Sequence, residues 1–457
     1  MSTLASGQPR SLKRRKMANR HDKLTVGQYL LKRLAGLGLS HIFLTPDPEL
    51  TSLQRTIEEH PKISLVINPS IESAGAMADG YGKARGISAI AFQELDGKAL
   101  DIIMRACLES VPQVILFGKR ATFDDSASML EKLYREFTVS WTELSDPHLA
   151  PKKIDRVLDY CHFFKKPVCI EIPDEVVDCF IPQHTYHEME FGVSDPDTLD
   201  EALLELGALL NKAKHPLIHL EREVIAHKAD ERILQFAKIW HIPVTSAHTA
   251  RNYLIESHPN FCGSVSEELV VRSDLVIVIG KEPLGIPHKG ANVLIGDQSM
   301  AINQRLFPQL LLDEVASHLL TLTPQKRHKL WQARTRPDSL LEDVIITSRD
   351  KELLEDMAPY FTGDCITTDH ASCHYALASA IGAIKAAPLK RPIVILDESD
   401  LKSSLSELYI AHEECLPLLI CTAGNASWIK SLFPDIPVYR RRIPDKLPYE
   451  LVIVSLE

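Results

Sequence analysis

The sequence predicts an α/β protein made of three consecutive open, mostly parallel sheet domains, the third of them short. Two observations carry this. Short runs of valine, isoleucine and leucine recur along the chain, separated by stretches whose apolar residues fall at helical spacing. Strands that alternate with helices pair in parallel and are covered by helices on both faces. The series is interrupted by a Pro- and His-containing stretch at 181–187 and by a charged stretch at 323–345. These breaks give domains at 23–188, 195–322 and 346–457, with 323–345 as a linker and 1–22 as a disordered basic tail.

The first domain opens with a helix on which Leu30, Leu31, Leu34 and Leu37 recur at helical spacing and which Gly38 stops. Strands follow at 41–44, 63–67, 89–92, 114–117 and 168–172. Between the second and third lies the stretch NPSIESAGAMADGYGKARG (68–86), a helix with small residues on successive turns, Ser73, Ala74, Gly75, Ala76 and Ala78. Small side chains let another backbone or a flat ligand come close, and a tightly packed core helix accounts for them as well. The central domain carries strands at 215–220, 241–245 and 274–280 and a helix at 234–240. It has no Gly-x-Gly-x-x-Gly, so nothing supports a bound dinucleotide. In the third domain, strands are expected at 365–368, 392–397, 416–422 and 451–456, with helices at 375–386 and 404–414.

Composition limits the function. The chain has 457 residues, 45% hydrophobic and 25% charged, which suits a soluble globular protein. A net charge of −10 argues against a general nucleic-acid partner. No apolar run reaches the ~18 residues of a membrane span, and nothing resembles a cleavable signal peptide. Nine scattered cysteines without a Cys-x-x-Cys pair fit reduced thiols in the cytoplasm. The densest Cys/His cluster, Asp369-His370-Ala371-Ser372-Cys373-His374, reads as a loop that happens to hold two histidines. His219, Glu221 and Glu223 read as an exposed strand edge, Glu171 as a strand end, and Glu407 as a structural helix residue.

The stretches GQYLLKRLAGLGLSHIF (27–43), EEHPKISLV (58–66), AMADGYGKARG (76–86) and 137–178 together resemble the N-terminal domain of thiamine-diphosphate-dependent 2-oxo-acid decarboxylases, most of all the pyruvate and indolepyruvate branch. Residues 243–263 and 273–283 resemble that family's central domain. The third region is similar to its cofactor-binding domain, with a loop collapsed into DHASCHYALASAIGA (369–383). The resemblance implies a thiamine diphosphate and Mg²⁺ site between the first domain of one chain and the third of another, hence a homo-oligomer, dimer or tetramer, acting on a small 2-oxo acid.

Residue by residue the chemistry thins out. The family activates its cofactor with a Glu that promotes proton removal from the thiazolium, general acid–base help worth ~10²–10⁴ in rate. Counting without gaps places Ile71 there. Glu72 falls one residue late, and one residue on a helix turns a side chain by ~100°. The family's Gly-Val-Pro-Gly-Asp turn appears as Leu44-Thr45-Pro46-Asp47-Pro48, with Pro48 at the catalytic Asp. Its His-His pair is missing from 120–135, which reads as a surface helix, and a further Glu falls on Ser431. For the metal, Gly-Asp-Gly-Ser becomes Asp397-Glu398-Ser399-Asp400, and the partner asparagine survives as Asn425, so Glu398 and Asn425 are the candidate ligands. The alternative for the acidic stretch is a solvated turn after an edge strand. The expectation is therefore a degenerate member that assembles with itself or with an active paralogue. A working decarboxylase using Glu72, Glu398 and Asn425 is the second reading, and a binding module for another small molecule the third.

Overall fold

The computed structural model describes residues 23–93, 96–118, 125–325, 330–332, 341–357, 360–368, 372–441, 443 and 450–456. The expected basic tail, residues 369–371 of the Cys/His cluster and 120–124 of the segment 120–135 lie outside them. Three six-stranded sheets follow one another along the chain.

The first sheet comprises β1 (His41–Leu44), β2 (Ser64–Ile67), β3 (Ser88–Phe92), β4 (Gln113–Phe117), β5 (Ser140–Glu143) and β6 (Val168–Glu171), ordered β2-β1-β3-β4-β6-β5 and parallel throughout. Strands β3, β4 and β6 are buried along their whole length, as expected where helices cover both faces. Glu171 ends β6, as the sequence implied.

The second sheet holds β7 (Pro216–Leu220), β8 (Val244–Ser246), β9 (Leu275–Ile279), β10 (Ala291–Ile295), β11 (Ser299–Ile302) and β12 (Arg305–Pro308), in the order β12-β11-β10-β9-β7-β8. Here β11 and β12 run antiparallel as a hairpin extension. The sequence reading missed β10–β12, because their short runs mix Asn292, Ser299 and Arg305 with the apolar residues. It also misplaced β7, which lies inside the sheet between β9 and β8. His219 and Glu223 are 3% and 2% exposed, so they are no solvent edge.

The third sheet contains β13 (Leu341–Ser348), β14 (Phe361–Thr367), β15 (Pro392–Leu396), β16 (Leu419–Thr422), β17 (Val438–Arg440) and β18 (Val452–Ser455), ordered β14-β13-β15-β16-β18-β17 and all parallel. Strand β13 opens within the stretch read as linker, since Glu342 and Asp343 break its apolar pattern in the sequence. Counted within each domain, the strand order of the third sheet repeats that of the first.

The same repetition brings two helices together. Helix Ile71–Arg85 follows the second strand of the first sheet, and Tyr375–Ala386 follows the second strand of the third. The first is capped by Ser70, which accepts from Ser73 N, and ends on Gly86 at φ 92°. The two helices pack directly on each other. A Cβ on Gly80 would meet Ser379 O at 2.1 Å, and one on Gly382 would meet Met77 O at 1.8 Å. Each helix thus supplies the glycine against which the other's backbone rests. Ala76, Met77, Ala378 and Ile381 belong to one apolar core shared by the first and third domains, while the central domain has its own.

Candidate functional site

In parallel sheets of this kind ligands sit beyond the carboxyl ends of the strands, where the order reverses. In the first sheet that point lies between β1 and β3. Thr45 continues β1, its N–H donating to Ala91 O, and Pro48–Leu50 forms a short 3₁₀ turn closed by Leu50 N on Asp47 O. Nearby, Ile71 is the first residue of helix Ile71–Arg85 and packs partly buried against the shared core. Glu72, one position on, takes a different course. Its carboxylate accepts from Lys98 Nζ at 2.7 Å and from Ser70 Oγ at 3.1 Å. Burial raises the Glu72 pKa, but Lys98, the helix's own N–H and Ser70 outweigh it and hold the carboxyl below its usual value.

The reversal in the third sheet lies between β13 and β15. The acidic stretch after β15 is no edge-strand turn, because β15 lies inside the sheet, flanked by β13 and β16. Asp397 is the N-cap of helix Glu398–Ser403 and accepts from Asp400 N at 2.7 Å. Asp400 is 1% exposed and receives a bidentate pair from Arg349, Nε at 2.5 Å and Nη2 at 2.6 Å. That hydrogen-bonded pairing raises the Arg349 pKa. Glu398 is bound by Lys402 at 2.6 Å, which lowers its pKa. Asn425 stands beside it: its backbone N–H reaches the Glu398 carboxylate, and its side-chain Oδ1 accepts from Ser427 N at 2.9 Å. Glu398 and Asn425 are therefore brought together, as the sequence implied. A polar cleft of about 470 Å³ opens between Arg349, Lys351, Thr368, Asp397 and Asp400.

Away from these ends the structure assembles charges that sequence reasoning did not connect. Lys83 Nζ, wholly buried, lies 2.8 Å from Asp79 Oδ2, donates to Tyr375 Oη and Thr367 O at 2.9 Å each, and is paired with Glu109. Tyr375 donates to Asp79 at 2.5 Å, and Arg105 lies over its ring at 5.3 Å. Arg222 of the central domain reaches Lys83 O at 3.4 Å. Burial lowers the Arg222 pKa, whereas the Asp79 carboxyl stays below its usual range because Lys83 and Arg105 overcome its own burial. Three domains thus meet on one buried ion network. The spacing of Asp79 and Lys83, one helical turn apart, was its only trace in the sequence.

At the reversal point of the second sheet, between β7 and β9, Glu221 fills the space itself. Its Oε2 accepts from Lys281 N at 3.0 Å and lies where a Cβ on Gly280 would be, 2.0 Å away. Glu407, as expected, is a structural residue: it is 1% exposed and accepts from Ser406 Oγ. Ser431 is exposed and donates to Trp428 O.

Residues 24–137 match the family model for the N-terminal TPP-binding domain of thiamine pyrophosphate enzymes, and residues 203–291 match the model for their central domain. Both matches are to thiamine pyrophosphate enzymes, and over these two stretches the chain resembles that family. Among its relatives, pyruvate decarboxylase of Aspergillus parasiticus is 27% identical over 71% of this chain and 62% of its own length, less than two thirds of that protein. A probable pyruvate decarboxylase of Schizosaccharomyces pombe is 22% identical over 88% of this chain and 82% of its own. The solved structure of the thiamine diphosphate-dependent 4-hydroxybenzoylformate decarboxylase of Rhodococcus jostii superposes with a TM-score of 0.72 over 94% of this chain and 98% of that one, at 14% identity, a likeness of fold.

The family's cofactor is thiamine diphosphate, and the residues of this chain do not fit it with its metal. Mg²⁺ at a phosphate site keeps several waters and takes one or two protein oxygen ligands besides the phosphates, so the chain must supply at least one carboxylate free to turn to it. Here Asp397 is spent on a helix cap, Asp400 on Arg349, Glu398 on Lys402 and the Asn425 side chain on Ser427. At the pyrimidine side Ile71 offers no proton acceptor, and the carboxylate beside it is turned to Lys98.

Proposed function

We propose that this chain keeps the scaffold of a thiamine diphosphate-dependent decarboxylase without its catalysis, and serves as a structural or regulatory subunit that assembles with itself or with an active paralogue. One observation carries the reading. Two of the three carboxylates where the metal–diphosphate would bind are paired with a cation of the same chain, Asp400 with Arg349 and Glu398 with Lys402, and the third, Asp397, caps a helix. Arg349 already neutralises the buried Asp400, and at Glu398 a metal would compete with a cation that the chain itself supplies. The extensive apolar contact between first and third domains supports a scaffold role, since it joins the two domains through side chains of this chain.

The second reading, an active Mg²⁺- and thiamine diphosphate-dependent 2-oxo-acid decarboxylase, has one observation in its favour: Glu398 and Asn425 stand side by side. Melting separates the two, because a ligand of the native state must raise the midpoint. Thiamine diphosphate with Mg²⁺ at millimolar concentration is expected to leave the midpoint unmoved. A clear rise that Glu398→Ala abolishes, together with CO₂ release from pyruvate or indolepyruvate, would establish the enzyme instead. Sedimentation of the purified chain, alone and with a paralogue, is expected to give a dimer or larger; a monomer under both conditions removes the assembly role.

A further inference from the structure

A cavity of about 730 Å³ lies between the first and central domains, away from the site discussed above. Its wall is largely apolar. Phe163 and Phe191 stack at 4.0 Å with their planes 7° apart, and Phe164 meets both rings edge-on. Leu312 and Val139 continue this surface. Asp297, Asp313 and Glu314 also border the cavity, which disfavours a nucleotide or other polyanion.

One wall residue is chemically unusual. Lys166 follows Lys165, a left-handed residue at φ 53° that turns the chain at the end of helix Ala150–Phe164. Its Nζ donates to Cys107 O at 2.8 Å and Ser110 Oγ at 3.2 Å. Lys281 Nζ donates to the same Cys107 oxygen at 3.2 Å and is held by Glu223, also at 3.2 Å. Two lysines therefore share one carbonyl oxygen, so their nitrogens are no farther apart than those two bonds end to end. Two ammonium groups this close in a partly buried site repel, and one gives up its proton more readily. Lys281 has Glu223 to keep it charged, so the amine that gives way is Lys166. Its two hydrogen bonds then account for both protons of a neutral amine.

We propose that Lys166 is a carbonyl-capturing amine, and that the cavity takes a small apolar aldehyde or ketone which Lys166 Nζ holds as an imine. The nitrogen adds to the carbonyl carbon while the C–O π pair moves to oxygen. That oxygen takes two protons in turn, matching the two that nitrogen gives up, and leaves as water while the nitrogen lone pair closes the C=N bond. Amine plus carbonyl gives imine plus water, with no change of oxidation state and no cofactor. The assignment is independent of whether the third domain binds thiamine diphosphate.

The charge balance around the amine fits this chemistry. Burial together with Lys281 brings the Lys166 pKa down to about 8, while the Cys107 thiol and Asp297 act in the opposite sense; His227 and Lys165 share the cavity wall. At pH 7 such an amine is unprotonated roughly a few hundredfold more often than an exposed lysine. Lower intrinsic nucleophilicity offsets part of that gain, leaving an advantage of about tenfold or more.

The test is reductive trapping of the full chain with phenylacetaldehyde and cyanoborohydride at pH 7, followed by peptide mass mapping. Lys166 is expected to carry adduct at least tenfold faster than exposed Lys62 and Lys152, and Lys166→Met to lose it without a change in melting midpoint beyond a few degrees. Lys281→Met is expected to slow labelling of Lys166 several-fold. Val193→Trp, at the cavity rim, is expected to slow the reaction with phenylacetaldehyde while formaldehyde still labels Lys166, which separates a binding cavity from a merely reactive amine. Equal labelling of Lys166 and the exposed lysines would overturn the proposal, as would equal sensitivity of both aldehydes to the rim substitution.

Discussion

The contact between helices Ile71–Arg85 and Tyr375–Ala386 gives the sharpest prediction. Gly382→Ala puts a methyl group 1.8 Å from Met77 O and 2.7 Å from Met77 C. Both are backbone atoms inside a helix, so no rotamer change relieves the clash and the helices must separate by more than an ångström. Overpacking of a core costs typically ~1–3 kcal/mol when side chains can adjust. Here they cannot, so the steric cost lies at or above the top of that range. Alanine recovers ~1 kcal/mol in helix propensity over glycine. The net loss is about 2 kcal/mol or more, which for a domain of this size lowers the melting midpoint by about 4–8 °C. Gly80→Ala, 2.1 Å from Ser379 O, should behave alike. Gly36→Ala is the control: nothing lies within 4 Å of its added Cβ, so it should be neutral or slightly stabilising. Scanning calorimetry of the three variants decides the matter. A Gly382→Ala midpoint equal to that of Gly36→Ala would refute the close packing.

Three further outcomes follow from the charges. Lys83→Met leaves Asp79 and Glu109 buried without their shared cation and should cost roughly 3–5 kcal/mol, read as a drop in the urea midpoint; a change within 1 kcal/mol would show that the network is not built as described. Burial lowers the His219 pKa to about 4 from 6.5, so between those values the unfolded chain binds a proton that the folded one refuses. Stability should therefore fall as pH drops through that window, by roughly 3 kcal/mol over it, and His219→Gln should remove that part of the slope in unfolding curves at pH 7 and pH 4.5. Lys98→Ala breaks only a half-exposed pair with Glu72, so its melting midpoint should match the parent protein's, and thiamine diphosphate should still produce no shift. A cofactor-dependent shift in that variant would show that Lys98 alone was restraining Glu72.

Most of the architecture was legible because local apolar pattern carries it. Strands β9 and β15 are continuous apolar runs, β3, β4 and β6 are apolar but for one terminal residue each, and helix Tyr375–Ala386 appeared with its observed bounds. What stayed hidden depended on partners distant in sequence. The acidic residues 342 and 343 masked the start of β13. Glu223 looked exposed because nothing local shows that Ser110 and Lys281 enclose it. Asp397-Glu398-Ser399-Asp400 looked like a solvated turn, because Arg349 reaches Asp400 from another strand end. At the site, Ile71 and Glu72 open the helix that the sequence marked, yet only the fold could reveal that Glu72 answers to Lys98.

The repeated strand order has a consequence for how copies of this chain can combine. Two units of like topology that clasp through matching helices present nearly the same grip from either side. Exchanging that grip between two copies would re-form the same contacts, so the enthalpy would change little and concentration and the reach of the connecting segments would set the outcome. A chain so built carries the means of pairing in its interior, and substitutions on its outer surface would leave that ability intact.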